Sequence, residues 1–382
     1  MSLAFRFAVA SDLHVGLSHT IQQLAHRFHL IEVSIPALEA VLDHLSQLDL
    51  DFLLLPGDLT QDGEIDNHRW LTQRLQALPF PTYVIPGNHD VPQPVNNGHK
   101  IGWQEFPHYY RPFGYEKTDR LYYTCEVLPG VRLIGLNSNQ FNEEGHLVGA
   151  VDEEQLAWLE RILHASHHQF VLVMIHHNVL EHLPNQTHHP IGRRYMLSNA
   201  PALLKRLRAG QVELVFTGHL HVQDIAHHQG VYDITTGSLV SYPHPYRLIQ
   251  VHQDDHGHTE VHIESHRVES VPDWPPLQDF SREWLGDRST KFMTQFLTHP
   301  PLNLPLRKAQ ELAPSLRYFW STIAAGDPVL TFPELPEPVR QYFEAFSHPS
   351  STAPPSDPPQ PGDNHTTLCL RSSRPSSLHP MG

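Results

Sequence analysis

Residues 82–90 read TYVIPGNHD, a short apolar run that stops at a Gly-Asn-His-Asp turn. Its β-branched and aromatic residues fit a buried strand, and the Gly and Asn that follow fit the turn that ends one. The pattern recurs along the chain. Residues 4–10 (AFRFAVA) run into Ser11-Asp12-Leu13-His14, and residues 51–56 (DFLLLP) into Gly57-Asp58. Residues 170–175 (FVLVMI) run into His176, and residues 212–217 (VELVFT) into Gly218-His219-Leu220-His221. Helical periodicity occupies 33–47, 68–78 and 200–208 between these runs. Short buried strands separated by helices imply parallel pairing and a layered α/β core.

In open α/β sheets the carboxyl ends of the strands form the crevice where ligands bind. Here those ends carry Asp, Asn and His. Asp12 and His14 are two residues apart, as are His219 and His221; in extended backbone each pair would point one way. Gly57, Gly87 and Gly218 leave room beside bulky ligands. Taken singly, each piece has an ordinary reading as a turn or a half-buried strand end. Independent turns, however, need not deliver metal-binding side chains to one edge. Imidazole with carboxylate suits zinc, manganese or iron. The two cysteines, Cys125 and Cys369, are too few for a thiolate zinc site or a disulfide framework.

The set Asp12-x-His14, Gly57-Asp58, Gly87-Asn88-His89-Asp90, His176 and Gly218-His219-x-His221 resembles the calcineurin-like metallophosphoesterase superfamily over residues 5–265. Gly57-Asp58-Leu59-Thr60, the run 218–225 (GHLHVQDI) and Thr236-Gly237-Ser238-Leu239 resemble its bacterial cyclic-nucleotide phosphodiesterase-like branch. The resemblance implies a four-layer αββα sandwich of two mixed sheets flanked by helices. It implies Asp12, His14 and His221 on one metal ion, Asn88, His176 and His219 on the other, and Asp58 bridging both. The ions would be divalent or trivalent Mn, Fe or Zn. A hydroxide shared between them would attack phosphorus, with His89 as general acid and Asp90 orienting it. One departure is that His177-Asn178 follows His176, where many relatives carry a different pair.

The expected substrate is a cyclic nucleotide or similar small phosphodiester. The alternatives are a phosphomonoester or nucleotide, a glycerophosphodiester, and, outside enzymes, a metal-binding interaction scaffold or a histidine-rich metal buffer. The formal net charge of −15 argues against a nucleic-acid partner. No apolar run is long enough for a membrane span, and the N-terminal residues lack the look of a signal peptide, so a cytoplasmic protein is expected. Most of the 32 histidines, such as His167-His168, His188-His189 and His227-His228, read as surface residues.

Residues 1–268 are read as the catalytic domain and 269–347 as a small helical domain, with amphipathic helices over 276–297, 302–325 and 335–346. Residues 348–382, rich in Pro, Ser and Thr, are read as a disordered tail. The helical part has two open roles, capping the cleft or self-association into a homo-oligomer. Residues 91–120 carry Trp103, Tyr109, Tyr110 and Arg111, read as a packed surface loop in preference to a nucleobase platform. Arg193 and Arg194 lie in the segment 178–197 on the other side.

Overall fold

The computed structural model describes residues 2–22, 27–274, 276–348 and 360–370. Strands β1 (Leu3–Val9), β2 (Phe52–Leu55) and β3 (Thr82–Val84) alternate with helices α1 (Ser34–Leu45) and α2 (Ile65–Gln76). The short helix α3 (Phe106–Tyr109) leads to β4 (Tyr123–Leu128), β5 (Val131–Gly135), β6 (Asn139–Phe141) and β7 (Leu147–Gly149). Then come α4 (Glu153–Ala165), β8 (Phe170–Met174), α5 (Pro190–Arg193), α6 (Ala200–Ala209) and β9 (Leu214–Thr217). Strands β10 (Asp224–His228), β11 (Val231–Thr235), β12 (Pro245–Gln253) and β13 (Thr259–Arg267) come next. Helices α7 (Leu277–Thr298), α8 (Leu306–Leu312), α9 (Phe319–Ala324) and α10 (Glu337–Glu344) follow, and β14 (His365–Leu370) closes the described chain.

Two mixed six-stranded sheets form, ordered β14-β13-β12-β1-β2-β3 and β10-β11-β9-β8-β5-β4. The short apolar runs are β1, β2 and β3, parallel in one sheet, and β8 and β9, parallel in the other, where β5 and β11 extend the parallel pairing. Facing aromatics join the sheets. Phe7 stacks on Phe52 at 4.8 Å, and Phe216 of the opposite sheet meets Phe7 edge-on at 5.5 Å. Such pairs contribute about 0.5–1.5 kcal/mol beyond their area burial. On the outer face of the second sheet, Leu156, Leu159 and Leu163 of α4 and Leu203 and Leu207 of α6 pack with Val173 and Val215. These residues recur at helical spacing on one face, which is why α4 and α6 lie flat on the sheet. Helix α4 starts where Asp152 accepts a hydrogen bond from the Gln155 N–H at 2.7 Å.

The sequence 302–325, read as one helix, is broken. Helix α8 begins after Pro305, a 3-10 turn spans Ala313–Leu316 around Pro314, and α9 starts at Phe319. A proline inside a helix removes one hydrogen bond and crowds the preceding turn. Helices α7 to α10 share a core with Phe296, Leu297, Phe319 and Phe343 that takes in Leu220 and Val222, from the turn after β9.

The expectation of disorder over 348–382 needs correcting at one place. Residues 365–370 form β14, antiparallel to β13 with Val261 opposite Leu368. Leu368 and Leu370 are buried while Thr367 and Cys369 are exposed, the alternation of an edge strand with one face on a core. Asp363 anchors its start. The Asp327 N–H donates to Asp363 Oδ2 at 2.5 Å, and the Asp363 N–H returns a bond to Asp327 Oδ1 at 2.8 Å. The fully buried Arg247 donates to the Asp363 carbonyl and to the Thr235 carbonyl. The remainder of that stretch, 349–359 and 371–382, lies outside the described residues. Among the described residues, no helix is long and apolar enough to cross a membrane.

Candidate metal centre

Five of the seven candidate ligands have left-handed backbone: Asp12 (φ 51°), His14 (φ 43°), Asp58 (φ 49°), His219 (φ 66°) and His221 (φ 60°). The expectation that Asp12–His14 and His219–His221 project together from extended backbone is therefore corrected. Each pair turns through tight, strained conformations instead. Left-handed non-glycine residues cost on the order of 1–3 kcal/mol each and persist only where surrounding contacts hold them. Those contacts are visible. The His14 N–H donates to the Asp58 carbonyl at 2.9 Å, and the Asp12 N–H to the Gly57 carbonyl at 3.1 Å. The His219 N–H reaches both Asp12 carboxylate oxygens at 3.1 Å. At Gly87 a Cβ would run into the Asp58 carboxylate and N–H, and at Gly218 into Asp12 Oδ2 and Ser11 Oγ.

The side chains converge on two adjacent groups. Asp12, His14, Asp58 and His221 each place one ligand atom within 4.8 Å of the others, and Asp58, His176 and His219 do the same. Asp58 is common to both. Its Oδ2 lies 3.3 Å from His176 Nε2 and 3.7 Å from His14 Nε2, while His221 Nε2 lies 3.0 Å from Asp12 Oδ1. His14 Nε2 and His221 Nε2 face each other at 3.4 Å. Asn88 lines the cleft that opens beside them. His176 Nδ1 donates to the Pro56 carbonyl at 2.9 Å, which turns Nε2 toward Asp58 as the nitrogen on which a cation would replace a proton.

His176 Nε2 and Asn88 Oδ1 are buried and have no hydrogen-bond partner. Buried polar atoms are ordinarily paired, so their clustering here fits a cation that would complete them. The donor set of imidazole, carboxylate and amide oxygen, without thiolate, fits Zn, Mn or Fe. Electrostatics agree. Burial alone would raise the Asp58 pKa, but His176 and His89, each with its own pKa raised to about 9, reverse this and hold it well below the usual carboxylate range. Burial, then the neighbouring His29 and His89, keeps His14 neutral far below its usual range.

His89 lines the same cleft, with its Nδ1 2.6 Å from the Gln61 carbonyl and 3.4 Å from Asp62 Oδ1. Burial opposes its charge, yet the Asp58 carboxylate and the bonds to Asp62 and Gln61 outweigh that and raise its pKa to about 9. Asp90 does not do the orienting expected of it. Its carboxylate accepts from the N–H groups of Leu59, Thr60 and Gly87 and from Thr60 Oγ1, so it buckles two ligand-bearing turns together. Asp62 stands in the place expected for Asp90. Sequence reasoning missed Asp62 and also His29, whose ring packs 4.3 Å from that of His14. Asp62 had a signal, a carboxylate close behind Gly57-Asp58; His29 had none.

The cleft has a volume of about 600 Å³. Arg193, Arg194 and Tyr195 line one side, and Phe28, Leu285, Phe292 and Trp320 another. Leu285, Phe292 and Trp320 come from α7 and α9, so the helical part walls the cleft. Trp103, Tyr109, Tyr110 and Arg111 do not line it. Tyr110 is buried with its hydroxyl 2.9 Å from His68 Nδ1, and Arg111 pairs with Asp119, as a packed loop requires. His177, the departure from the expected motif, is held 2.8 Å from Ser138 Oγ beside the cleft, and burial lowers its pKa to about 3.

The family model described as calcineurin-like phosphoesterase matches residues 5–223. A probable glycerophosphodiester phosphodiesterase of Arcobacter nitrofigilis is 31% identical over 175 residues, 45% of this chain and 56% of its own length. A probable cyclic nucleotide phosphodiesterase of Xenorhabdus bovienii is 25% identical over 183 residues, 48% of this chain and 66% of its own length. The 3′,5′-cyclic adenosine monophosphate phosphodiesterase of Pseudomonas aeruginosa is 26% identical over 192 residues, 48% of this chain and 60% of its own length. The chain thus spans a little over half to two thirds of these relatives. In fold it is similar to a dimetal phosphatase from Danio rerio, with a TM-score of 0.50 at 15% identity, covering 69% of this chain and 96% of that one. The matched segment runs over more than half of the chain and contains every strand end described above, and the chain belongs to the calcineurin-like phosphoesterase family.

Proposed function

We propose that the chain is a metal-dependent phosphodiesterase acting on a cyclic nucleotide or a similar small phosphodiester. The observation that carries this reading is the convergence of two ligand groups on one shared carboxylate, Asp58, at the head of a single cleft. Asp12, His14, Asp58 and His221 would hold one ion of the pair. Asp58, Asn88, His176 and His219 would hold the other. Such a pair supplies an acidified water and positive charge against the phosphate oxygens. The chain supplies the rest. His89, fixed through Nδ1 by Gln61 and Asp62, would offer Nε2–H to the departing alkoxide oxygen. Arg193 and Arg194 stand beside the cleft to balance substrate charge.

The wall of Phe28, Leu285, Phe292 and Trp320 supports a substrate with a flat, apolar portion, as a nucleobase has. The likeness to a protein named as a glycerophosphodiester phosphodiesterase supports a second reading, in which the diester bears glycerol. Glycerol gives that wall less to cover. The test is a substrate panel on protein reconstituted with Mn or Zn: 3′,5′-cyclic AMP, a glycerophosphodiester and p-nitrophenyl phosphate, compared by kcat/KM. Cyclic AMP is expected to lead. Preference for the monoester would sink the diester reading, and preference for the glycerol ester would replace the nucleotide by the second reading.

A further inference from the structure

The seven residues assigned above leave one imidazole of the same cluster without a task. His29 lies on the segment between β1 and α1, and its ring centroid is 4.3 Å from that of His14 and 4.6 Å from that of His221. One nitrogen from each of the three rings falls within 4.8 Å of the other two. Among the described residues, neither ring nitrogen of His29 makes a hydrogen bond, while its carbonyl is held by Arg27 Nε at 2.8 Å. The ring is placed, not loose. The Leu30 N–H donates to the Val240 carbonyl at 2.7 Å, and Trp284 Nε1 of α7 donates to the Phe28 carbonyl at 3.0 Å. Three imidazoles gathered this closely, with only the 3.4 Å contact of His14 Nε2 and His221 Nε2 between their rings, each hold one lone pair that a single cation would satisfy.

We infer that His29 is a further ligand of the ion held by Asp12, His14 and His221, which makes that half of the centre a three-imidazole site. This rests on the metal-pair reading proposed above. It makes the two halves unequal. One offers three imidazoles with Asp12, the other two imidazoles with the Asn88 amide, and Asp58 serves both. Imidazole suits zinc and iron, whereas amide and carboxylate oxygens suit manganese, so the His29 half favours zinc or iron.

The experiment uses the full chain stripped of metal, as wild type, His29→Ala and His29→Gln. Each is titrated with Zn²⁺ alone by calorimetry and with Co²⁺ alone by visible absorption. Thermal unfolding of the stripped proteins identifies any variant that has lost its fold, and His29→Gln keeps the side-chain bulk if His29→Ala has. Wild type is expected to bind two ions. Both variants should lose at least about tenfold in affinity at one site, as removal of groups that tune metal ligands commonly does, and the Co²⁺ spectrum should change with it. Added imidazole should restore that site in His29→Ala, a rescue that a purely packing role would not give. Wild-type affinity at both sites and an unaltered Co²⁺ spectrum in folded variants would overturn the inference. A wild type that fails to bind two ions would instead overturn the metal-pair reading itself.

Discussion

Asp58 is the residue on which both ligand groups depend. Asp58→Asn keeps the shape but removes the charge and one lone-pair-bearing oxygen, so bound metal should drop and hydrolysis fall sharply while the thermal transition survives. Metal analysis and a melting curve on one sample test this; retention of two ions would refute it. Asp62 carries a subtler expectation. His89 is raised to about 9 against the effect of burial, with Asp58 first and Asp62 next among the groups that stabilise its charged form. Asp62→Asn removes a negative neighbour, so the His89 pKa falls. A group that must be protonated loses activity above its pKa, and the alkaline limb of the kcat profile should move to lower pH. An unmoved limb, or one shifted upward, removes His89 as the acid. The strand-end residues were readable because their chemistry and their place after apolar runs coincide. His29 follows no strand, and its partners His14 and His221 reach it only through folding. Asp90 sat in the motif, but adjacency in sequence says nothing of where a carboxylate points, and three backbone N–H groups claimed it.

At the scale of elements, the turns after the parallel strands set the geometry. Gly87→Ala would force a methyl against Asp58 and should lower metal affinity and kcat/KM by at least about tenfold with secondary structure intact, since small misplacements in a site cost that much or more. Calorimetric metal titration and circular dichroism separate the two effects. Normal metal affinity in a folded variant would mean the turn has slack. Helices α7 and α9 make a different contribution. Phe292→Ala should raise KM for 3′,5′-cyclic AMP while leaving kcat within a few-fold, because the wall binds a bystander group and takes no part in bond breaking. A selective loss of kcat would contradict that. Helical periodicity made α7 legible in the sequence, whereas the prolines at 305 and 314 split what reads as one following helix. The run HTTLCL in β14 alternates as a strand should, yet six residues inside Pro- and Ser-rich flanks are outweighed by composition.

For the molecule as a whole, Asp363 links β14, the helical part and the second sheet. Its Oδ1 accepts from the Ile225 N–H at 3.2 Å and its Oδ2 from that of Asp327. Burial first, then the negative Asp224, raises its pKa to about 7. The folded value lies above the unfolded one of 3.8. Its contribution is therefore fully present below about pH 4 and lost as pH rises through 7. Amides of β13 and β14 should lose protection over that window, after correction for intrinsic exchange, and Asp363→Asn should flatten the slope. Protection that stays level or grows from pH 5 to 8 would contradict it. Strand β14 also has a kinetic consequence. It is made nearly a hundred residues after β13, the strand it covers. At roughly 5–20 residues per second, a ribosome leaves that flank of the sheet bare for about 5–20 s, long enough for another nascent chain to zip onto it. Once made, β14 takes that edge out of reach of other chains, and variants that stop before residue 365 should yield inclusion bodies in place of soluble product.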